Sequence, residues 1–255
     1  MYKQLDRHFL RQTTANENLT ELKQKILALI SPEFHKPLTL VESYSDELES
    51  GVNSAKTSQD LVAPLRGIQA NSNELARLVD DFIALAELET GEKKNAYHLS
   101  EQLISAVGLN SFEAAERCFM EAQNANVTLN YYLPSSLPNI RGVESMLQNV
   151  FHIFTLLMIE ELRDKPDAEI DIGYSWSDDD LSISYVANQP LTQERIMLLA
   201  PLVHEHLSLK QASHQHPQLI IAKKYIELHN GRLSLKTDDQ SFAFVLSFPI
   251  AVLEY

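Results

Sequence analysis

The side chains best suited to chemistry in this chain are histidines: His204-x-His206 and His214-x-His216 place four of the nine within thirteen residues. Imidazole nitrogens suit Zn²⁺ or Cu²⁺, so these pairs are candidate metal ligands, with unliganded solvated histidines as the plainer reading. Asp178-Asp179-Asp180 offers carboxylate oxygens, but between two strand patterns it reads as a hairpin turn. Asp80-Asp81 reads as the solvated face of a helix. Cys118 is the single cysteine, which excludes an internal disulfide and suits a small, half-buried helix position. Trp176 and the pair Tyr131-Tyr132 lie on strand patterns and read as packing residues. No Gly-x-Ser-x-Gly arrangement of a nucleophile occurs.

The elements that must position these residues fall into two rhythms. From Asn16 to about Ser50, a helical seam steps by three and four: Leu19, Leu22, Ile26, Leu29 or Ile30, Phe34, Leu38, Val41, Tyr44 or Ser45, and Leu48. Pro32 and Pro37 each remove a backbone donor from that helix, so it should kink or loosen there. Gly51 to Asp60 reads as a turn. A second helix follows from Leu61 to about Thr90, with a seam of Leu61, Leu65, Ile68, Ser72, Leu75, Val79, Phe82 and Ala86 and a stop at Gly91. Two such helices expose more apolar stripe than they cover, so two hairpins should pair into a four-helix bundle and make the chain a homodimer.

Residues 92–98 read as a polar connector and 101–124 as helix. Strand patterns follow at Val127–Leu133, Glu169–Trp176, Leu181–Val186, Arg232–Lys236 and Phe242–Phe248, and helical ones at Val143–Leu162, Gln193–Leu207 and Leu219–Leu228. Helices on one side of a mixed or antiparallel sheet give an α+β sandwich. The expected domains are therefore 1–92, a helical hairpin, and 93–255, an α/β sandwich.

Composition narrows the classes. The 44% hydrophobic and 22% charged content is that of a globular protein, and no apolar stretch is long enough to span a bilayer. Met1 to Thr13 lacks an apolar signal core, so a cytoplasmic location is expected. A net charge of −14 opposes nucleic acid and anionic membrane surfaces as partners.

Three segments carry a resemblance: Pro-Glu-Phe-His-Lys-Pro-Leu-Thr (32–39), Arg-Leu-Val-Asp-Asp-Phe-Ile-Ala-Leu-Ala-Glu-Leu-Glu-Thr-Gly (77–91) and Ile-Ala-Lys-Lys-Tyr-Ile-Glu-Leu-His-Asn-Gly-Arg-Leu-Ser-Leu (221–235). In this order and at these separations they resemble the transmitter of a sensor histidine kinase, a dimerising helical hairpin followed by a GHKL-type ATPase domain. The likeness runs from about residue 16 to 250. It implies the fold; function has to be argued at the site.

At the site the resemblance lapses. The family's phosphoacceptor His corresponds to Pro32, which has no nucleophile. The family's Asn for Mg²⁺ and phosphate falls at Leu157, with the polar position one turn earlier at Ile153, and an apolar side chain cannot ligate a hard cation. The Asp-x-Gly-x-Gly loop for adenine corresponds to Val186-Ala187-Asn188-Gln189-Pro190-Leu191, without Asp or Gly. The glycine-rich phosphate loop corresponds to His216-Pro217-Gln218-Leu219, and none of the seven glycines lies between Gly173 and Gly231.

Four chemical positions (Pro32, Leu157, Asn188, Gln218) are thus replaced while the scaffold segments remain, and the old nucleotide cavity should be filled by side chains. The resemblance then implies a catalytically degenerate signalling module that needs no cofactor. It would act by binding a response regulator receiver domain or another kinase through Lys36, Leu40, Ser43 and Glu47 on helix one. Two enzyme alternatives stand beside it: a phosphotransferase using His35, with Glu33 as base, and a divergent sensor histidine kinase. A third reading is a dimeric output platform for an upstream sensor. The His204–His216 pairs fall where relatives carry a mobile lid over ATP.

Overall fold

The computed structural model describes residues 34–51, 61–204 and 217–251, and these fall into two compact units. One holds 34–51 and 61–87; the other holds 88–204 and 217–251.

The first unit consists of α1 (residues 34–51) and most of α2 (Val62–Thr90). Helix α1 runs unbroken through Pro37, whose ring is buried; Pro32 lies outside the described residues. Gly51 belongs to α1 rather than to the turn expected from it, and most of that turn lies outside the described residues. The ring of Tyr44 on α1 rests where a Cβ of Gly67 on α2 would stand, so the missing side chain lets the two helices approach. In α2 the buried residues are Pro64, Leu78 and Leu85, at intervals of fourteen and seven. That heptad line differs from the seam read from sequence, of which Leu65 and Val79 are exposed. Arg77 pairs with both Glu74 and Asp81, so Asp81 is partly covered and only Asp80 is the solvated aspartate expected of both. Gly91 ends α2 at φ +80°, the left-handed conformation a helix stop favours.

The second unit begins with α3 (Glu92–Ser100), where a polar connector was expected. Its only buried residue is Tyr97, too little for a periodic apolar signal. The 101–124 segment is not one helix but β1 (Gln102–Ile104), α4 (Val107–Glu116) and α5 (Phe119–Asn124). Cys118 sits fully buried at the break between α4 and α5. There follow β2 (Val127–Tyr131), β3 (Ile140–Gly142), α6 (Glu144–Leu162), β4 (Ala168–Trp176), β5 (Asp180–Ala187), α7 (Gln193–His204), α8 (Pro217–Leu228), β6 (Arg232–Thr237) and β7 (Phe242–Pro249).

Five strands form one sheet in the order β2-β4-β5-β7-β6; β2 and β4 are parallel and the remaining neighbours antiparallel. Alternation along β5 and β7 sends Leu181, Ile183, Tyr185, Phe244, Leu246 and Phe248 into the core. There they meet α6, which is buried almost all round. Phe154 of α6 packs its ring against Tyr185 and Phe244. The β4–β5 turn is the hairpin expected at the aspartates: Ser177 Oγ accepts from the N–H groups of Asp179 and Asp180. Trp176, expected to pack, is 50% exposed at the end of β4; Tyr132 is exposed too, while Tyr131 meets Phe112 edge-on.

A second, two-stranded sheet pairs β1 with β3 antiparallel. The His229 ring lies where a Cβ of Gly142 would be. His229 Nδ1–H donates to the Tyr225 carbonyl (2.6 Å), and Nε2 accepts from the Val143 N–H (3.0 Å). The ring also meets Tyr97 edge-on at 4.9 Å between centroids. Both nitrogens are committed in the neutral tautomer, and burial holds the His229 pKa below that of a free imidazole. Asn230 turns the chain at φ 54° into β6.

Candidate functional site

Helix α6 and the exit of β5 carry two of the positions singled out in the sequence. Ile153 is buried at 4% exposure, and Leu157, one turn on, is half-buried. Around them α6 presents Val150, Phe151, Phe154 and Met158 to the core. The buried hydroxyl of Thr155 is spent on its own helix, donating to the Phe151 carbonyl at 2.9 Å. The side chains of Ile153 and Leu157 carry no oxygen.

Asn188 follows β5, and every polar atom of its amide is engaged. Its Oδ1 accepts from the Glu169 N–H (2.9 Å), and its Nδ2 donates to the Asp167 carbonyl (2.7 Å). Its own backbone N–H donates to the Glu169 carbonyl at 3.2 Å. Beside it, Gln189 donates to the Pro166 carbonyl and Lys165 Nζ to the Pro190 carbonyl. The segment 188–190 is thereby laced to the start of β4. Gln218 lies in the first turn of α8 and is half-buried. Pro217 starts that helix two residues earlier than expected; its fixed φ suits a first helical position, so Pro217-Gln218 is not a loop.

Sequence reasoning missed a polar cluster in the second unit. Asn110 Nδ2, Ser111 Oγ and Tyr185 Oη are buried without a hydrogen-bond partner among the described residues. Ser111 and Thr155 lie near enough to temper the effect of burial on Tyr185, which nonetheless pushes its phenol far up and keeps it protonated. Asn110 Oδ1 does accept from Gln148 Nε2. Tyr185 and Ser111 carried no signal because alternation along a strand marks burial, not which buried group is polar.

Cys118 Sγ lies 3.2 Å from His152 Nδ1, a contact also invisible in the sequence. Burial, and then the nearby Glu121 charge, push the thiol up to about 12. A thiol held protonated in this way is no nucleophile at neutral pH.

On α1, His35, Lys36, Leu40, Ser43 and Glu47 are all exposed; Glu33 lies outside the described residues. His204 is the last residue of α7, while His206, His214 and His216 lie outside the described residues. Among the described residues no three His, Cys, Asp or Glu side chains are grouped to hold a metal, and no helix is long and apolar enough to cross a membrane.

This architecture is an α+β transmitter fold of the histidine kinase type, a helical segment followed by an ATPase-like sandwich. The structure is similar to histidine kinase AdeS of Acinetobacter baumannii, with a TM-score of 0.58 at 12% identity over 86% of this chain and 98% of that one. It is also similar to histidine kinase ThkA as solved in complex with the response regulator TrrA, with a TM-score of 0.61 at 14% identity, over 95% of this chain and 66% of that one. In sequence, 121 residues are 31% identical to the sensor protein DivL of Caulobacter vibrioides, spanning 48% of this chain but 15% of that protein. No family model matches the chain.

Proposed function

We propose that the chain is a two-component signalling module that acts by protein binding and has no nucleotide chemistry of its own. The observation that carries this reading is the pair Ile153 and Leu157, aliphatic side chains standing where the resemblance asks for Mg²⁺ and phosphate ligands. Asn188, with both ends of its amide bound to backbone, supports it at the adenine position. The partner is a response regulator receiver domain or a kinase, met by Lys36, Leu40, Ser43 and Glu47 along α1. The ThkA–TrrA complex supports a regulator as that partner. The protein works as a homodimer in the cytoplasm: Leu38, Leu65, Val79 and Ile83 are each more than 40% exposed in the single chain, and a second hairpin would cover them.

Isothermal titration and thermal melting with Mg-ATP test the reading. No heat of binding and no rise in melting temperature are expected, since a ligand that binds only the folded state must stabilise it. A melting temperature that climbs with millimolar Mg-ATP, and not with Mg²⁺ alone, restores a kinase reading. The exposure of His35 favours a second reading, phosphotransfer at that imidazole. Incubation with a phosphorylated receiver domain distinguishes the two: label that appears on the chain and is lost in His35→Gln establishes transfer.

A further inference from the structure

The two edges of the five-stranded sheet are guarded unequally. Edge strand β6 carries Arg232 and Lys236, both exposed, the kind of charge that discourages another strand from pairing. Edge strand β2, Val-Thr-Leu-Asn-Tyr, carries no charge and no proline. The Tyr132 N–H donates to the Ile172 carbonyl at 3.1 Å, which sets the phase of β2. Backbone groups alternate sides along a strand, so those of Thr128 and Asn130 face β4 and those of Leu129 and Tyr131 face outward. Among the described residues no backbone partner meets these outward groups.

Beside this edge a cavity of about 300 Å³ opens between the α4–α5 corner and β2, lined by Glu116, Phe119, Ala122, Gln123, Leu129 and Tyr131. Phe119, which lines it, is 50% exposed, and its neighbour Met120 is 61% exposed. The surrounding charge is acidic: Glu113, Glu116 and Glu121 are exposed on α4 and α5, against Arg117 alone. A second copy of a chain of net charge −14 would bring like charges together at this edge.

We propose that the β2 edge is a docking site for an extended segment of a basic partner protein, which adds as a sixth strand. Its main chain bonds the outward N–H and C=O groups of Leu129 and Tyr131, one apolar side chain fills the Phe119 cavity, and a Lys or Arg meets Glu116. Main-chain bonding supplies the affinity, and the cavity and carboxylate supply the selectivity. The site belongs wholly to the α/β unit and stands whether or not the chain binds nucleotide.

Selection of random linear peptides displayed on phage against the whole chain tests this, followed by fluorescence polarisation with the winning peptides. Enriched sequences are expected to alternate apolar residues with Lys or Arg. Glu116→Lys should weaken their binding about tenfold through charge reversal. Leu129→Pro should abolish it, because proline removes an outward donor and leaves the β4 ladder intact. Should Leu129→Pro fail to fold by circular dichroism, amide exchange of the wild-type chain gives the same answer: peptide should slow exchange at Leu129 and Tyr131. Failure to enrich any peptide, enrichment of acidic or uncharged ones, or binding indifferent to Glu116→Lys overturns the proposal. Self-association of the chain that Leu129→Pro relieves also overturns it.

Discussion

The helical hairpin and the α/β unit dispose of apolar side chains in different ways. In the α/β unit, Leu147, Phe151, Phe154, Ile172, Tyr185 and Phe244 are fully buried between α6 and the sheet. In the hairpin, Leu78 and Leu85 are buried apolar side chains, while Leu38, Leu65, Val79 and Ile83 stand exposed. A sheet covered by helices closes a core within one chain, whereas two helices side by side leave an apolar stripe on each. The α/β unit is therefore expected to hold its stability alone, and the hairpin to depend on assembly. Trp176, the single tryptophan, lies in the α/β unit and reports its unfolding by fluorescence.

Four experiments break or sharpen that contrast. The largest effect is expected from Phe154→Ala, which removes a fully buried ring between Tyr185 and Phe244. Urea unfolding followed at Trp176 should show a loss of about 3–5 kcal/mol. A loss below about 1 kcal/mol would mean that this core does not carry the unit. Next is Gly142→Ala, whose new methyl meets the His229 ring and must displace it from its two hydrogen bonds. About 1–3 kcal/mol is expected in the same measurement, as for other overpacked sites.

A smaller effect comes from pH. The folded His229 takes up its proton below the free-imidazole value of 6.5, because burial favours the neutral ring. The unfolded chain therefore binds more protons just below pH 6.5 than the folded chain does. The contribution is intact above that pH and is lost as pH falls toward the folded pKa, with a slope of at most about 1.4 kcal/mol per pH unit. His229→Gln should remove that part of the slope; an unchanged slope would assign it to other groups.

The smallest effect on the α/β unit, within about 0.5 kcal/mol, is expected from Leu65→Glu, an exposed position on α2. Light scattering on the same variant should nevertheless show the dimer dissociating, since the new carboxylates would be buried unpaired in the bundle. A monomeric wild type at tens of micromolar would remove the basis for the assembly half of the contrast.

The sequence by itself determined those features whose cause is local. The 19-residue α6 announces itself through an unbroken apolar helical pattern, and β5 and β7 through strict alternation. The Ser177–Asp180 hairpin, the Gly91 stop and the turn at Asn230 follow from turn and cap chemistry within a few residues. The residue types at Ile153, Leu157 and Asn188 were legible in the sequence. Only the tertiary structure decided how Asn188 spends its amide, because its partners at Asp167 and Glu169 are some twenty residues away.

Features made by distant partners left no periodic trace. The three-residue strands β1 and β3 exist through each other, pairing Gln102 with Gly142. Helix α3 buries Tyr97 alone, and Tyr97 finds His229 more than a hundred residues on. The heptad line of Pro64, Leu78 and Leu85 was not separable from the neighbouring seam, because α2 carries apolar residues on more than one face and only packing selects among them. The open edge of β2 is likewise a property of strand order: Val127–Tyr131 reads the same at the centre of a sheet as at its border. Local pattern fixes which side chains seek burial, and the three-dimensional arrangement fixes what they meet.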